Sequence, residues 1–115
     1  MSSRDNVRAD LLSSMASMFS GGTNPLLLAA LKAAFPLLSF SLIVNWIPEQ
    51  AEDIYWVLID LDRIAIVEIS RLSNSLEDVS VEVLDLNEYK ERRLFIENRR
   101  KLEVAIDLMK ENHSS

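Results

Sequence analysis

Four apolar runs follow one another through the middle of the chain, and each is rich in the β-branched and aromatic residues that favour strands. In order, they read SFSLIVNWI, IYWVLI, IAIVEIS and VSVEVLDL. Short polar segments separate the runs, and Pro48 ends the first of them. Connections this short join neighbouring strands that run in opposite directions, so the sequence predicts a four-stranded antiparallel meander.

Alternation of polar and apolar residues predicts which way two of these strands face. In the first run it places one set of side chains on a single face of the sheet: Phe40, Leu42, Val44 and Trp46. In the last run the valines face one side, whereas Ser80 and Glu82 face the other.

Two helices are predicted before the sheet. Residues 4–19 repeat apolar side chains at three-to-four spacing until a glycine pair stops the helix. Asn24 followed by Pro25 is a typical helix start, since asparagine caps the first turn and proline suits the first helical position. This second helix is expected to end near Phe35, because a proline follows.

A longer amphipathic helix is predicted from about Asn87 to Asn112, with an apolar stripe formed by Tyr89, Phe95, Leu102, Ala105, Ile106 and Met109. The fold class is therefore α+β, with two N-terminal helices, a four-stranded antiparallel meander and a C-terminal amphipathic helix. We expect the helices to pack on one face of the sheet. Residues 1–115 are expected to form a single domain, frayed at 1–3 and 113–115.

The negative charge is concentrated in the middle of the chain. The formal net charge is −6, yet residues 51–88 alone hold ten acids and two bases, a net charge of −8. Residues 1–50 are neutral overall, and residues 89–115 have a net charge of +2. Nucleic-acid binding requires clustered lysine and arginine, so this distribution argues against a nucleic-acid partner.

Several catalytic and ligand-binding chemistries lack the residues that they need. The chain has no cysteine, and its one histidine, His113, lies near the C-terminus, so neither a histidine-activated nucleophile nor a His/Cys metal site is expected. Asp60 and Asp62 could serve a carboxylate-based site, but aspartates at this spacing are typical of a turn. We therefore predict that the protein is not an enzyme and uses no cofactor or metal.

Two other segments invite ligand-binding interpretations. The glycine pair before Asn24 lacks the lysine and the preceding strand of a phosphate-binding loop, so we interpret it as a linker. The basic residues Arg92, Arg93 and 99–101 alternate with acids, which favours a solvated helix face over an RNA-binding surface.

Residues 25–47 contain a single charge, Lys32, and are numerous enough to cross a bilayer as a helix. A membrane-associated subunit is therefore an alternative. Pro36 and the alternation that follows it favour a buried helix and then a core strand instead. The N-terminus does not have the pattern of a signal peptide, and with no cysteine present we expect a cytoplasmic protein.

The acidic hairpin formed by the second and third runs is the candidate site. IYWVLI is apolar on both faces, so one helical layer would leave the other face open, with acidic residues around it. An apolar centre with a charged rim is typical of a recognition surface. The predicted partner-binding residues are Glu52, Asp53, Tyr55, Trp56, Asp60, Asp62, Glu68 and Glu82. Alternatively, helices cover both faces and the acids only solubilise the edges.

These features predict a non-catalytic protein-binding protein, an acidic inhibitor or immunity protein of the antitoxin type that masks a basic partner. Concentrated negative charge suits this function because it speeds association with a basic surface. The partner would be a protein such as a bacterial toxin or a secreted substrate. In the alternative of a small homodimeric secretion or assembly chaperone, a second copy or a disordered segment covers the apolar sheet face.

Overall fold

The computed structural model describes residues 3–91 and 95–114 and confirms the predicted α+β class. Two helices precede a four-stranded antiparallel sheet, and two helical segments follow it. The elements are α1 (Ser3–Phe19), α2 (Pro25–Ala34), β1 (Leu42–Pro48), β2 (Glu52–Leu58), β3 (Arg63–Ser70), a short 3-10 turn (Leu76–Asp78), β4 (Val79–Asp85), α3 (Leu86–Lys90) and α4 (Phe95–Ser114).

The predicted C-terminal helix is therefore two segments, since α3 ends at Lys90 and α4 begins at Phe95. Asp85 caps α3 by accepting a hydrogen bond from the Asn87 N–H at 2.8 Å. Tyr89 and Leu102 of the predicted apolar stripe are buried, whereas the side chain of Phe95 lies outside the described residues. The predicted frayed ends at residues 1, 2 and 115 also lie outside them.

The start and end of α2 agree with the sequence prediction. The Asn24 side chain accepts a hydrogen bond from the Leu26 N–H at 2.9 Å, and Pro25 occupies the first helical position. Phe35 closes the last turn by donating its N–H to the Leu31 carbonyl at 2.7 Å. The cap satisfies a backbone donor that the first helical turn would otherwise leave without a partner.

The four strands pair in sequence order, β1-β2-β3-β4, which confirms the antiparallel meander. Strands β2 and β3 are central and carry apolar side chains on both faces. On β2, Trp56 and Leu58 point into one buried cluster, whereas Tyr55 and Val57 point into a second cluster on the opposite face. The sheet therefore has a hydrophobic core on each side.

Helices cover both faces, so the prediction that they pack on one face is wrong. Helix α4 packs on the Trp56 side, which we call the α1/α4 face, and α2 packs on the Tyr55 side, the α2 face. Helix α1 runs beside β1 and contributes Leu11 to the first cluster and Met18 to the second. Central strands that are apolar on both faces require this arrangement, because one helical layer would leave half of their apolar surface in water.

Helices α1 and α4 also contact each other through exposed charges. Arg4 pairs with Asp107, and Arg8 pairs with Glu111 at 2.9 Å. Both pairs lie at the solvent-exposed margin of the helix interface, where an ion pair contributes at most about 1 kcal/mol. The buried contacts of the α1/α4 face therefore hold these helices in place.

A β-bulge in β1 changes the direction in which Trp46 points. The register with β2 shifts between Ile43 and Asn45, so one extra residue is accommodated near Val44. Leu42 remains on the α1/α4 face, but Trp46 lies directly opposite Tyr55 on the α2 face. The prediction that Phe40, Leu42, Val44 and Trp46 share one face is therefore wrong for Trp46, because the bulge reverses the alternation.

We expect Leu27→Ala in α2 to destabilise the fold by about 2–5 kcal/mol, since Leu27 is fully buried on the α2 face. The control is Leu37→Ala in the loop after α2, where the leucine is almost fully exposed and the change should stay within about 0.5 kcal/mol. Urea unfolding of the three proteins measures both values. A Leu27→Ala variant as stable as the control would contradict burial of the α2 face.

Candidate interaction surface

Three glutamates from neighbouring strands lie on one face of the sheet. Glu68 on β3 is opposite Ile54 of β2 and opposite Ser80 of β4. Glu52 lies two residues before Ile54, and Glu82 lies two residues after Ser80, so each is a diagonal neighbour of Glu68. Diagonal neighbours in an antiparallel sheet are about 7–8 Å apart. We call Glu52, Glu68 and Glu82 the acidic row.

The acidic row lies on the α1/α4 face, away from the hairpin between β2 and β3. Glu82 is exposed, whereas Glu52 and Glu68 are half-buried beside the partly buried Ile54. Among the side chains that the structure describes, none forms a hydrogen bond or ion pair with these three carboxylates. Their negative charges therefore have no counter-charge in the described part of the fold.

Asp53 is neutralised within the fold and does not belong to the acidic row. It lies on the α2 face, where Arg71 holds both carboxylate oxygens, at 2.7 Å from Nη2 and 3.2 Å from Nε. Trp46 Nε1–H donates a third hydrogen bond to Oδ1 at 3.1 Å. The Arg71 hydrogen bonds are the main reason that the pKa of Asp53 lies below its ordinary value.

Asp60 and Asp62 lie at the hairpin between β2 and β3, at the opposite end of β2 from Glu52. Eight residues of extended chain separate Asp60 from Glu52, which is about 26 Å. Asp60 binds Arg63 at 2.7 Å and accepts the Asp62 N–H at 2.8 Å. Partial burial acts to raise the pKa of Asp60, but these hydrogen bonds outweigh it and the pKa is lowered. Asp62 itself is exposed.

Tyr55 and Trp56 are buried, with 7% and 6% of their surface exposed. They point to opposite faces of the sheet, Tyr55 under α2 and Trp56 under the α1/α4 layer. Their position on a central strand explains both facts, because helices cover each face. The predicted apolar centre of the partner-binding surface is therefore not exposed. The eight predicted site residues are thus divided among two faces and two ends of the sheet.

Trp46 is the exposed aromatic residue that the sequence reasoning missed. It is 53% exposed and stacks on Tyr55 with a ring separation of 6.2 Å and an angle of 12° between the planes. Strict alternation assigned Trp46 to the same core face as Leu42. The available signal is the unbroken apolar triplet at 42–44, which interrupts the alternation where the bulge occurs.

A cleft of about 530 Å³ lies between α1 and β1 and is lined by Ser13, Ser14, Ser17, Thr23, Asn24, Ile43, Trp46, Tyr55 and Lys101. Burial lowers the pKa of Lys101, and the nearby charge of Asp10 acts in the opposite direction. Thr23 donates its hydroxyl to Ser17 Oγ at 3.2 Å, so part of the polar lining is satisfied internally. Lys101, which was predicted to lie on a solvated helix face, has a half-buried side chain at this cleft.

Within residues 3–91 and 95–114, no three histidine, cysteine, aspartate or glutamate side chains come close enough together to hold a metal ion. No helix in the same ranges combines the length and the apolar character that a membrane span requires. Residues 25–47, which raised the membrane alternative, contain α2, a loop and most of β1. The basic residues Arg92 and Arg93 lie outside the residues whose side chains are described.

Comparisons of the chain with protein-family models, with curated proteins and with solved structures find no match.

We expect Asp53→Asn to weaken the dependence of stability on acid. The lowered pKa of Asp53 stabilises the fold above the ordinary value of 3.8, and this contribution disappears as the pH falls through the lower pKa of the folded state. Urea unfolding between about pH 5 and pH 2 should show a smaller loss of stability in Asp53→Asn than in the unchanged chain. Asp62→Asn, at an exposed aspartate, is the control. An unchanged slope in Asp53→Asn would contradict this account.

Proposed function

We propose that the chain is a non-catalytic protein-binding protein, of the inhibitor or immunity type, whose acidic row contacts a basic surface of a partner protein. The observation that carries the proposal is the acidic row itself, three carboxylates on adjacent strands that no described side chain neutralises. A folded chain is more stable when like charges are separated or paired. A surface that retains this repulsion is suited to a partner that relieves it.

The described ion pairs exclude some of the acidic residues from the surface that can contact such a partner. Asp53 and Asp60 are compensated by Arg71 and Arg63, so they add little to the field outside the molecule. Tyr55 and Trp56 are buried and do not form the centre of an interface. Contact therefore begins with charge at the acidic row, which favours fast, electrostatically steered association over burial of a large apolar area.

The same contacts support a non-catalytic function. Paired carboxylates would be needed for acid–base chemistry in a chain with one histidine and no cysteine. Asp60 instead accepts the Asp62 N–H and binds Arg63, which are the contacts of a turn. Glu52 and Glu82 are each a diagonal neighbour of Glu68, at about 7–8 Å, and the acidic row does not form a metal-binding group within the described residues.

The chaperone alternative depended on an open apolar sheet face that a second copy or a disordered segment would cover. Helices α1 and α4 cover one face and α2 covers the other, so this premise is missing. The inhibitor interpretation needs only an acidic surface and is the one that the geometry supports better. A cytoplasmic location and a bacterial toxin as the partner remain part of this proposal.

The test is replacement of Glu52, Glu68 and Glu82 together by glutamine. The partner is first isolated by affinity capture with the unchanged chain, and binding is then measured with purified proteins at several salt concentrations. We expect the triple variant to associate more slowly by roughly tenfold or more and to depend less on salt, because it lacks the steering charge.

In the matched control, glutamine replaces three exposed glutamates outside the acidic row, Glu77, Glu88 and Glu91. Both variants have the same formal net charge, so a difference between them reports the position of the charge. The control should bind within about twofold of the unchanged chain, since exposed charges outside the contact are largely screened. Equal weakening in both variants, or no salt-dependent partner at all, would refute the proposal.

A further inference from the structure

Strand β4 forms an edge of the sheet, and the direction of its backbone groups follows from the register. The Leu86 N–H donates to the Asp62 carbonyl at 2.7 Å, and this pair continues the β3–β4 register. In an antiparallel ladder, every second residue directs its backbone N–H and C=O toward the same neighbouring strand. Even-numbered residues of β4, such as Glu82, therefore direct their N–H and C=O toward β3. Val79, Val81 and Val83 direct theirs away from the sheet.

This outer edge of β4 is open in the described part of the chain. The Val79 N–H donates to the Leu76 carbonyl, whereas no described backbone or side-chain group forms a hydrogen bond with the outward N–H or C=O of Val81 or Val83. Val83 is also 44% exposed, so part of its apolar side chain is in water. The seven residues of β4 contain no proline and no lysine, which are two common protections of edge strands.

The other edge of the sheet is protected. Strand β1 contains the bulge near Val44, ends at Pro48 and has α1 packed beside it. Bulges, prolines and covering helices each prevent the addition of a further strand. The difference between the two edges singles out β4 as the place where another chain can pair with the sheet.

We propose that the partner's basic segment binds as an additional antiparallel strand along the outer edge of β4, with basic and apolar residues in alternation. This inference rests on the proposed function and specifies how the partner is recognised. Antiparallel pairing matches the rest of the sheet and gives slightly more stable hydrogen bonds per residue. Backbone hydrogen bonds hold the segment, and its side chains provide specificity.

The two faces of β4 determine the alternation. Ser80 and Glu82 lie on the face of the acidic row, with Glu68 on the next strand. A lysine or arginine beside Glu82 reaches a carboxylate there, and its long side chain extends toward Glu68. On the α2 face, the next residue of the segment lies beside the exposed Val83, where an apolar side chain removes valine surface from water.

A second copy of this chain fits the edge less well. Antiparallel pairing of two β4 strands would bring two acidic rows together, with Glu82 opposite Glu82 or opposite Ser80 of the other copy. In either register four or more carboxylates approach one another without an added cation, and like charges in such positions destabilise a sheet. Charge complementarity therefore selects a basic segment over a second copy.

The test uses a seven-residue peptide, equal to β4 in length, in which lysine and valine alternate. Binding is measured by titration, together with amide hydrogen exchange of the chain followed by NMR. We expect slower exchange at the Val81 and Val83 amides when the peptide is bound, because these N–H groups become hydrogen-bonded. The Glu82 amide is directed toward β3 with or without peptide and should change little.

Two matched pairs test the backbone contact. Val83→Pro removes an outward N–H but no bond to β3, and Val83→Ala retains that N–H. We expect Val83→Pro to weaken peptide binding by about tenfold or more relative to Val83→Ala, since a buried carbonyl is left without a partner. In the peptide, N-methylation of the valines blocks the donors that face β4 in the antiparallel register, whereas N-methylation of the lysines does not. This second pair leaves the protein unchanged, so it tests the backbone hydrogen bonds to β4 even if Val83→Pro does not fold.

The glutamine triple variant of the acidic row distinguishes the proposed function from strand addition. It lacks the negative charge, so it should bind any basic ligand more weakly, whether or not that ligand pairs with β4 as a strand. Weaker binding in this variant, with equal binding of both N-methylated peptides, would overturn strand addition and leave the proposed function standing. No binding of the alternating peptide, or a dimer of the chain that the peptide does not dissociate, would also overturn strand addition. Strand addition is supported if the valine-methylated peptide binds more weakly than the lysine-methylated peptide and if amide exchange slows at Val81 and Val83.

Discussion

Two central strands that are apolar on both sides determine the arrangement of the other elements. Strands β2 and β3 bury side chains toward α2 and toward the α1/α4 layer, and neither face can remain in water. Three layers follow from this requirement. Helix α1 is placed beside β1, where its two ends contribute to different cores. The charged side chains of the sheet region are consequently left with the ends of strands, the loops and the less covered part of one face.

Within those regions, arginine divides the acidic residues into two groups. Arg71 and Arg63 bind the carboxylates at the two ends of the β2–β3 hairpin, Asp53 and Asp60, and neutralise their charges within the fold. Glu52, Glu68 and Glu82 lie on the α1/α4 face, where the first two are half-buried and the third is exposed, and they pair with no described cation. The surplus of acids in the middle of the sequence therefore becomes a short diagonal row and is not a uniformly acidic surface.

Local features of the sequence predicted the elements well, but not the faces they cover. The start of α2 at Asn24 and Pro25 was predictable because helix capping depends only on adjacent residues. The meander was predictable because short polar segments between the strands also act locally. The bulge that turns Trp46, and the Arg71–Asp53 contact across 18 residues, depend on packing that no local pattern contains. The acidic row could have been found by aligning the predicted strands. The lack of an arginine partner among the described side chains could not have been found in this way, since it depends on where Arg63 and Arg71 point.

The unequal edges of the sheet also limit how many chains can join it. The proposed strand addition at β4 would occupy the open edge, and the bulge, Pro48 and α1 protect the other edge of the described sheet, at β1. An incoming strand can therefore extend the sheet to five strands, after which growth would have to continue on the newcomer's own outer edge. A described sheet with one open edge would accept one added strand directly, and it could not be extended from both sides as can the two-edged sheets that are prone to form fibres.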